Sequence, residues 1–421
     1  MVTFRVPPGP LRADTTVPGD KSLSHRALIL AAMAAGVSRV AGAGPGDDVS
    51  TTRRALARLG VAFDRDLVSS PGVEAWTAPS APIDAGNSAT TLRLLAGALA
   101  GRPYPATLVG DASLMRRPMR RLVAPLAALG AAVEVGPGGR PPVTVGGGAL
   151  HGADISVPVP SAQVRSACAL AALQAAGRST ITSPPGFRDH TERWLEAMGL
   201  GRRLSEVSFQ VLPGLVVPGV WEVPGDLSSA SFLLAAAALR PGSEVTVRSV
   251  TLNPGRTGFL DILEAAGARV ELRATGLTRG DPVGDVTVVG EELRPVRVAG
   301  ALAVRALDEL LLVAVLGAAT TGETVVSGAA ELRAKETDRA AAAVRLVRSL
   351  GGEAAEVPDG FTVHGRGGLV GGEIDASGDH RLAMAAAIAA VISPGGVTVR
   401  GFEAAAVSWP GFAESLEALW S

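Results

Sequence analysis

A run of Ala and Leu followed by a glycine recurs five times along this chain, and each time a short alternating segment follows it. The glycines are Gly60, Gly130, Gly199, Gly267 and Gly351, with spacings of 70, 69, 68 and 84 residues, and the chain ends 70 residues after the last. Glycine after a helical run commonly ends the helix in the left-handed conformation. The period therefore predicts six supersecondary units, each long enough for two helices and several strands.

A second repeat divides these units into two groups. Val17-Pro18-Gly19-Asp20 and Val223-Pro224-Gly225-Asp226 each precede a helix-like run. Pro-Gly-Asp is typical of a turn that leads into a helix N-cap, and we interpret both as points where the chain passes between two lobes of similar architecture. The predicted domains are residues 18–224 and residues 1–17 with 225–421, with three units in each.

The predicted helices and strands differ in where their apolar residues lie. Residues 230–239 and 382–392 are apolar almost all round, which indicates buried helices. Segments such as 245–248 and 397–400 alternate apolar and polar residues, so one face of each strand meets water. The sequence thus predicts an α/β protein with buried helices and outer sheets, and the cleft between its lobes is the default ligand site.

Composition limits the possible partners and the compartment. The formal net charge of −1 provides no field for nucleic acid or an anionic membrane. The single cysteine, Cys168, cannot form an internal disulfide and fits a reducing compartment. The apolar runs are shorter than the roughly 20 residues of a membrane span, and the start of the sequence lacks a secretory apolar run. We expect a soluble cytoplasmic monomer without nucleic-acid or membrane partners.

Lysine is scarce: Lys21 and Lys335 are the only two among 39 basic residues, and the rest are arginines. An ammonium is a compact charge whose pKa shifts readily on burial, whereas a guanidinium stays charged. The two lysines are therefore candidates for positions where arginine would not serve. The alternative is that codon bias removed the other lysines and these two survived by accident.

Polar strings rich in Arg recur, most of them at predicted helix starts, where free backbone N–H groups and the helix dipole favour anions. Each string alone fits a capped turn or a solvated surface, but together they predict a ligand with several anionic groups. The adjacent acids Asp308 and Glu309 precede an apolar run, so they need partners and are candidates for proton transfer. The strings are residues 20–26, 84–93, 116–121, 161–165, 188–192, 335–339 and 379–381.

Other classes of site lack their sequence signals. No His or Cys pair has the spacing of a zinc site, so we expect no metal and no cofactor. The chain has no nucleophile elbow, and the glycines at 42–46 lack the strand and spacing of a dinucleotide-binding motif.

In order along the whole chain, these strings resemble 5-enolpyruvylshikimate-3-phosphate (EPSP) synthases, a family of enolpyruvyl transferases. The resemblance implies an inside-out α/β barrel fold with three βαβαββ units in each lobe. The motifs that carry it are Asp-Lys-Ser-x-Ser-x-Arg (20–26), Gly-Asn-Ser-Ala-Thr-Thr-x-Arg (86–93), Arg-Arg-Pro-Met (116–119), Ser-Ala-Gln-Val (161–164), Arg-Asp-His-Thr-Glu (188–192), Lys-Glu-Thr-Asp-Arg (335–339) and Asp-His-Arg (379–381).

The resemblance also implies a reaction. An enolpyruvyl group passes from phosphoenolpyruvate to the 5-hydroxyl of shikimate 3-phosphate through a tetrahedral intermediate, and phosphate leaves. This is a step of the shikimate pathway of aromatic amino-acid biosynthesis, and its enzyme is the target of glyphosate. Each substrate carries a carboxylate and a phosphate, which fits the density of Arg and Lys.

Position by position, the resemblance implies the following sites. The expected catalytic groups are Lys21, Asp308 and Glu336, with Glu336 as the general acid that protonates the methylene carbon. The expected shikimate 3-phosphate site comprises Lys21, Ser22, Arg26, Ser161, Ala162, Gln163, Arg188, Asp308 and Lys335. The expected phosphoenolpyruvate site comprises Lys21, Asn87, Ala89, Arg117, Gln163, Arg339 and Arg381.

Four positions depart from the family pattern. Ala89 stands where many members have Gly, and its methyl is expected to weaken glyphosate more than phosphoenolpyruvate. Glu331 and Val407 stand where others often have Asn and Lys, and Leu311 replaces a common Pro.

Two other functions stay open at the level of sequence. The sister transferase that acts on UDP-N-acetylglucosamine generally has a reactive Cys in the loop matching residues 111–118, and none is present here. A non-catalytic anion-binding protein on the same two lobes would not require Lys21, Asp308 and Glu336 together.

Overall fold

Two compact units make up the chain, and the computed structural model describes residues 1–420. Lobe A consists of Gly19–Val223 and Leu277–Asp281, and lobe B of Met1–Pro18, Pro224–Gly276 and the chain from Pro282 onward. The predicted boundaries differ from these units, because the sequence assigned residues 277–281 to the second lobe and Pro18 and Pro224 to the first. Within lobe A, the Arg279 guanidinium stacks on the Trp221 ring at 3.8 Å, and Thr278 donates to the backbone oxygen of Glu222. These contacts are remote in sequence, so no local pattern indicated them.

The strands are short and are numbered β1 to β23 in chain order. They are Val2–Phe4, Arg12–Thr15, Ala35–Ala41, Ala62–Asp64, Leu67–Pro71, Ile83–Asp84, Pro105–Val109, Ala132–Gly136, Arg140–Gly146, Asp154–Ser156, Ser179–Thr182, Gly201–Arg203, Ser208–Val211, Val220–Glu222, Glu244–Thr251, Arg269–Thr278, Asp281–Val289, Arg297–Val298, Thr321–Val326, Glu353–Val357, Gly360–Arg366, Gly372–Asp375 and Val397–Arg400.

The α-helices are numbered α1 to α13 in chain order. They are Lys21–Met33, Asp47–Ala57, Ala89–Leu99, Val123–Ala127, Ala162–Ala172, His190–Ala197, Leu227–Ala238, Gly258–Ala266, Gly300–Arg305, Leu310–Ala319, Arg339–Ser349, His380–Ala389 and Phe412–Glu417.

Each lobe contains three sheets. Those of lobe A have the orders β14-β3-β5-β4, β6-β7-β9-β8 and β10-β11-β13-β12, and those of lobe B have β16-β17-β15-β2, β18-β19-β21-β20 and β1-β23-β22. In each four-stranded sheet, one edge strand is parallel to its neighbour, which is antiparallel to the next strand. This mixed arrangement, repeated with little change, is the structural form of the repeat in the sequence.

Three buried helices form the centre of each lobe: α1, α3 and α5 in lobe A, and α7, α10 and α12 in lobe B. Small Ala side chains let them pack closely, and α10 is buried from Leu310 to Ala318. Asp20 caps α1, Ser88 caps α3 and Ser161 caps α5, each through its side-chain oxygen. In the described part of the chain, no helix is long and apolar enough to cross a membrane.

Gly97 marks the closest approach of two central helices, because a Cβ there would lie 2.1 Å from the backbone oxygen of Ala167 in α5. We expect Gly97→Ala to lower the free energy of unfolding by about 1–3 kcal/mol, since neither backbone can move without disturbing the core. Denaturant titration measures this. Gly276→Ala is the control, since a Cβ added at that position would meet nothing within 4 Å. Equal stability of the two variants would contradict the close contact.

Candidate active site

In lobe A, most of the site residues expected from the sequence lie at the starts of α1, α3 and α5. Lys21 is the first residue of α1, Ala89 the first of α3 and Ala162 the first of α5. A hydrogen bond joins the starts of α5 and α3: the Gln163 amide donates to the Thr90 hydroxyl at 2.8 Å. Free N–H groups and the positive ends of the helix dipoles make this end of lobe A suited to anions.

Both lysines are largely buried, and each is held by an aspartate of its own lobe. In lobe A, Lys21 Nζ lies 3.0 Å from Asp48 Oδ2, and 21% of the Lys21 side chain is exposed. In lobe B, Lys335 Nζ donates to Asp308 Oδ1, also at 3.0 Å. Sequence reasoning missed Asp48, because an acidic residue in the first turn of α2 is already explained by the helix dipole.

Arg26 is buried one turn into α1, and all three of its guanidinium nitrogens have protein partners. Nε donates to the Thr191 hydroxyl, one terminal nitrogen to the Ser22 backbone oxygen and the other to the Ser166 hydroxyl, at 2.8–2.9 Å. Arg26 therefore ties the start of α1 to α5 and α6. Ser22 lies at the same helix start and belongs to the shikimate 3-phosphate site that the resemblance implies.

A polar network connects the other candidates of lobe A. Arg117 donates to the Asn87 carbonyl at 2.9 Å, and the Asn87 amide donates to Asp111 at 2.7 Å. Arg93, which the sequence named in a motif but did not select, donates to the side-chain oxygen of Gln163 and to the Pro118 backbone oxygen. Arg93 thus orients the Gln163 amide, whose other end bonds Thr90.

A buried ion pair supports the segment before α6. The Arg165 guanidinium donates to Glu192 at 2.6 Å, with 1% of each side chain exposed, and it stacks on the Phe187 ring at 3.9 Å. Phe187 directly precedes Arg188, a residue of the expected shikimate 3-phosphate site. Ser161, another residue of that site, caps α5, the helix that contains Arg165. The pair therefore anchors the backbone that presents Arg188.

In lobe B, one guanidinium organises three carboxylates. Arg339 donates to Asp379 through Nε at 2.8 Å and to Glu336 at 2.6 Å, and it lies 3.5 Å from Asp308. Burial opposes its charge, but the carboxylates of Asp379, Glu336 and Asp308 outweigh burial and raise the pKa of Arg339. Burial alone would raise the pKa of Asp379, yet the Arg339 guanidinium reverses this and holds it below its ordinary value. The structure brings Asp308, Lys335, Glu336 and Arg339 together.

Arg381 and Glu309 complete this cluster. Arg381 donates to the backbone oxygen of Asp308 at 3.0 Å and lies 3.4 Å from Glu309, which also accepts a hydrogen bond from Ser228. The expectation that the two acids before α10 need partners is confirmed. Glu309 was predicted only as a candidate for proton transfer, and Ser228 and Asp379 were not among the selected residues. Asp379 could have been found, since it opens a motif and caps α12.

Cys168 lies inside α5, away from this chemistry, and its burial raises the pKa of the thiol to about 12. A thiol, unlike a thiolate, is a poor nucleophile. We expect no reaction with Ellman's reagent in the folded protein at pH 8 and one equivalent in denaturant, followed by absorbance. Rapid reaction of the folded protein would contradict the buried position.

The protein is a two-lobed α/β protein built from repeated units, with Arg and Lys at the starts of buried helices and an acid cluster in one lobe. Residues 6–416 match the sequence model of the family described as EPSP synthase (3-phosphoshikimate 1-carboxyvinyltransferase), and the chain belongs to this family. The family and the fold class predicted from the sequence are confirmed.

Relatives and solved structures agree with this assignment. The chain is 43% identical over 419 residues to a 3-phosphoshikimate 1-carboxyvinyltransferase of Alkalilimnicola ehrlichii, which covers 97% of this chain and 93% of the relative. A protein of the same name from Synechococcus sp. is 43% identical, covering 98% and 96%. The structure of EPSP synthase from Acinetobacter baumannii has a TM-score of 0.87 and 34% identity, covering 99% of this chain and 97% of that one.

Proposed function

We propose that this protein transfers the enolpyruvyl group of phosphoenolpyruvate to the 5-hydroxyl of shikimate 3-phosphate and releases phosphate. The match of residues 6–416 to one family carries this proposal. The contacts around Arg339 support it, because they bring together acidic and basic side chains of the kinds that transfer protons in catalysis.

In this proposal the helix starts of lobe A hold anionic groups of the substrates. Lys21, Arg117 and Gln163, with Asn87 and Ala89 beside them, bind phosphoenolpyruvate. The residues for shikimate 3-phosphate in this lobe are Lys21, Ser22, Arg26, Ser161, Ala162, Gln163 and Arg188. The support is the cationic network at the starts of α1, α3 and α5.

Lobe B supplies the acid–base groups. Asp308 accepts the proton of the attacking hydroxyl, and Lys335, 3.0 Å away, stabilises its charge. Arg339 and Arg381 clamp the carboxylate of phosphoenolpyruvate. Glu336 protonates the methylene carbon, with Lys21 assisting, which makes C2 cationic and open to attack. The hydroxyl oxygen adds to C2 to give a tetrahedral intermediate, and loss of a proton from the new methyl group together with departure of phosphate restores the double bond.

Arg339 links substrate binding to this proton transfer. Its guanidinium donates to Glu336 at 2.6 Å in the described structure. A substrate carboxylate that binds Arg339 competes with Glu336 for the same donors.

Release of phosphate tests the proposed function. Purified protein is given phosphoenolpyruvate with shikimate 3-phosphate and, in parallel, with UDP-N-acetylglucosamine. We expect enzyme-dependent phosphate release and a new enolpyruvyl ether only with shikimate 3-phosphate. Turnover of the UDP-sugar alone would assign the sister reaction, and no turnover of either would favour a binding protein.

We also propose that the protein is a monomer in the cytoplasm. Gel filtration with light scattering tests whether it is monomeric.

Ala89 leads to a prediction about inhibition. It is buried at the first position of α3, two residues from Asn87. If glyphosate occupies this end of the helix, the Ala89 methyl excludes part of it, and Ala89→Gly is expected to tighten inhibition about tenfold or more. The Michaelis constant for phosphoenolpyruvate should change less. Inhibition constants measure this, with Ala301→Gly as the control; strong inhibition of the unaltered enzyme at low micromolar glyphosate would contradict the prediction.

A further inference from the structure

A cavity of about 370 Å³ lies in lobe A at the far ends of its central helices. Its lining includes Met33 at the end of α1, Leu173 just after α5, and Arg102 just after α3. Val73 and Val216 complete an apolar wall, and Glu74 lies beside them. The volume falls within the usual range for small-ligand sites, roughly 300–1,000 Å³.

This cavity is separate from the candidate active site. Most of the site residues of lobe A lie at the starts of α1, α3 and α5, whereas these helices line the cavity with their last turns or the residues after them. At 1.5 Å per residue, α1 alone separates Lys21 from Met33 by roughly 20 Å. None of the residues proposed above to bind substrate lines the cavity.

Arg102 is the unusual group in this wall. Only 6% of it is exposed, yet it forms no ion pair with any acid in residues 1–420. It donates to the Val73 backbone oxygen at 2.6 Å and to the Gln174 side chain at 3.0 Å, and its buried Nε has no partner in the described structure. Burial lowers the pKa of Arg102. A buried guanidinium without a carboxylate is costly, so an anionic ligand would offset this cost.

Glu74 supplies the opposite charge. Its side chain is exposed beside the cavity and forms no salt bridge within the described residues. It is near enough to Arg102 to act on its charge, but the two are not in contact. A ligand that fits this pattern carries a carboxylate for the buried cation, an ammonium for the exposed anion and an apolar group for Leu173 and Val216.

We propose that this cavity binds a small α-amino acid with an apolar side chain. The ligand carboxylate pairs with Arg102 and the ammonium faces Glu74. The side chain of the ligand contacts Leu173, Met33 and Val216. The simpler alternative is that Arg102 only holds Val73 and Gln174 in place, and the experiment below separates the two.

Isothermal titration calorimetry of the full-length protein with L-phenylalanine tests the proposal. Hydrocinnamate lacks the ammonium, and 2-phenylethylamine lacks the carboxylate, so each removes one charge contact. We expect saturable binding of L-phenylalanine with a stoichiometry near one, and each analogue at least about tenfold weaker, because a charge-assisted hydrogen bond is lost. The absence of saturable binding at millimolar concentrations of L-phenylalanine and L-leucine would overturn the proposal, and so would equal affinity for hydrocinnamate.

Two variants locate the binding. Arg102→Gln removes the cation and is expected to abolish binding, although it also affects the contacts with Val73. Glu74→Gln changes an exposed side chain and should leave folding intact, while the affinity for L-phenylalanine falls to that for hydrocinnamate. Glu134→Gln, an exposed acid on β8, is the matched control. Binding that is unchanged in Glu74→Gln would place the ligand elsewhere and overturn the assignment.

Discussion

Replacing Glu336 by Gln is expected to reduce kcat about 10²–10⁴-fold, the usual contribution of a general acid or base. Gln keeps an oxygen that can accept from Arg339, so the guanidinium stays bonded and the cluster of lobe B keeps its shape. It cannot deliver a proton to carbon. The Michaelis constants should therefore change much less than kcat, which steady-state kinetics with both substrates measures.

Controls separate a loss of chemistry from a loss of structure. Glu403→Gln changes an exposed glutamate of the same lobe and should retain full activity. The thermal unfolding of Glu336→Gln should resemble that of the unaltered protein. If Glu336→Gln kept more than about a tenth of kcat, another group would have to be the general acid that protonates the carbon. The proposed role of Glu336 would then be wrong.

Sequence reasoning identified the local features of this molecule. Helix caps, glycine stops and alternating strands are each encoded within a few residues, so the repeated units and their buried helices could be predicted. The same holds for residues such as Lys21 and Gln163, which lie in the first turn of a helix. Lys21 could be selected from its residue type, whereas Gln163 was selected because its motif resembles that of the EPSP synthase family.

Partners that are distant in sequence were not predictable in this way. Asp48 pairs with Lys21 across 27 residues, and Asp379 with Arg339 across 40. Arg102 has no motif at all, and its unusual state appears only when the ends of three helices and the loop at 213–216 come together. A sequence shows where charged residues are, but the partner of each charge depends on long-range packing.

The acids of lobe B act as positioning groups for its cations. Arg339 is buried with a raised pKa because three carboxylates surround it. Arg381 is likewise held against Asp308 and Glu309. Preorganised cations need no rearrangement of solvent when an anionic substrate arrives, which is the physical advantage of such a cluster.

Asp379→Asn should therefore have the largest effect on stability among changes in this cluster. Asp379 is fully buried, accepts hydrogen bonds from Arg339 and Thr337, and caps α12. Its loss leaves the buried Arg339 charge with less compensation, so we expect the free energy of unfolding to fall by about 3–5 kcal/mol at pH 7. Denaturant titration measures this, and Asp375→Asn, an exposed aspartate on β22, is the control.

The pH dependence provides an independent check on this cause. The pKa of Asp379 is lowered in the folded protein, so its stabilisation is present above the unfolded value of about 3.9 and is lost as pH falls through the lower folded value. The difference in stability between the unaltered protein and Asp379→Asn should be nearly constant from pH 7 to pH 5 and should shrink below about pH 4. A difference that stayed the same down to the acid transition would mean that the substitution disturbs packing or the helix cap rather than removing the charge that Arg339 requires.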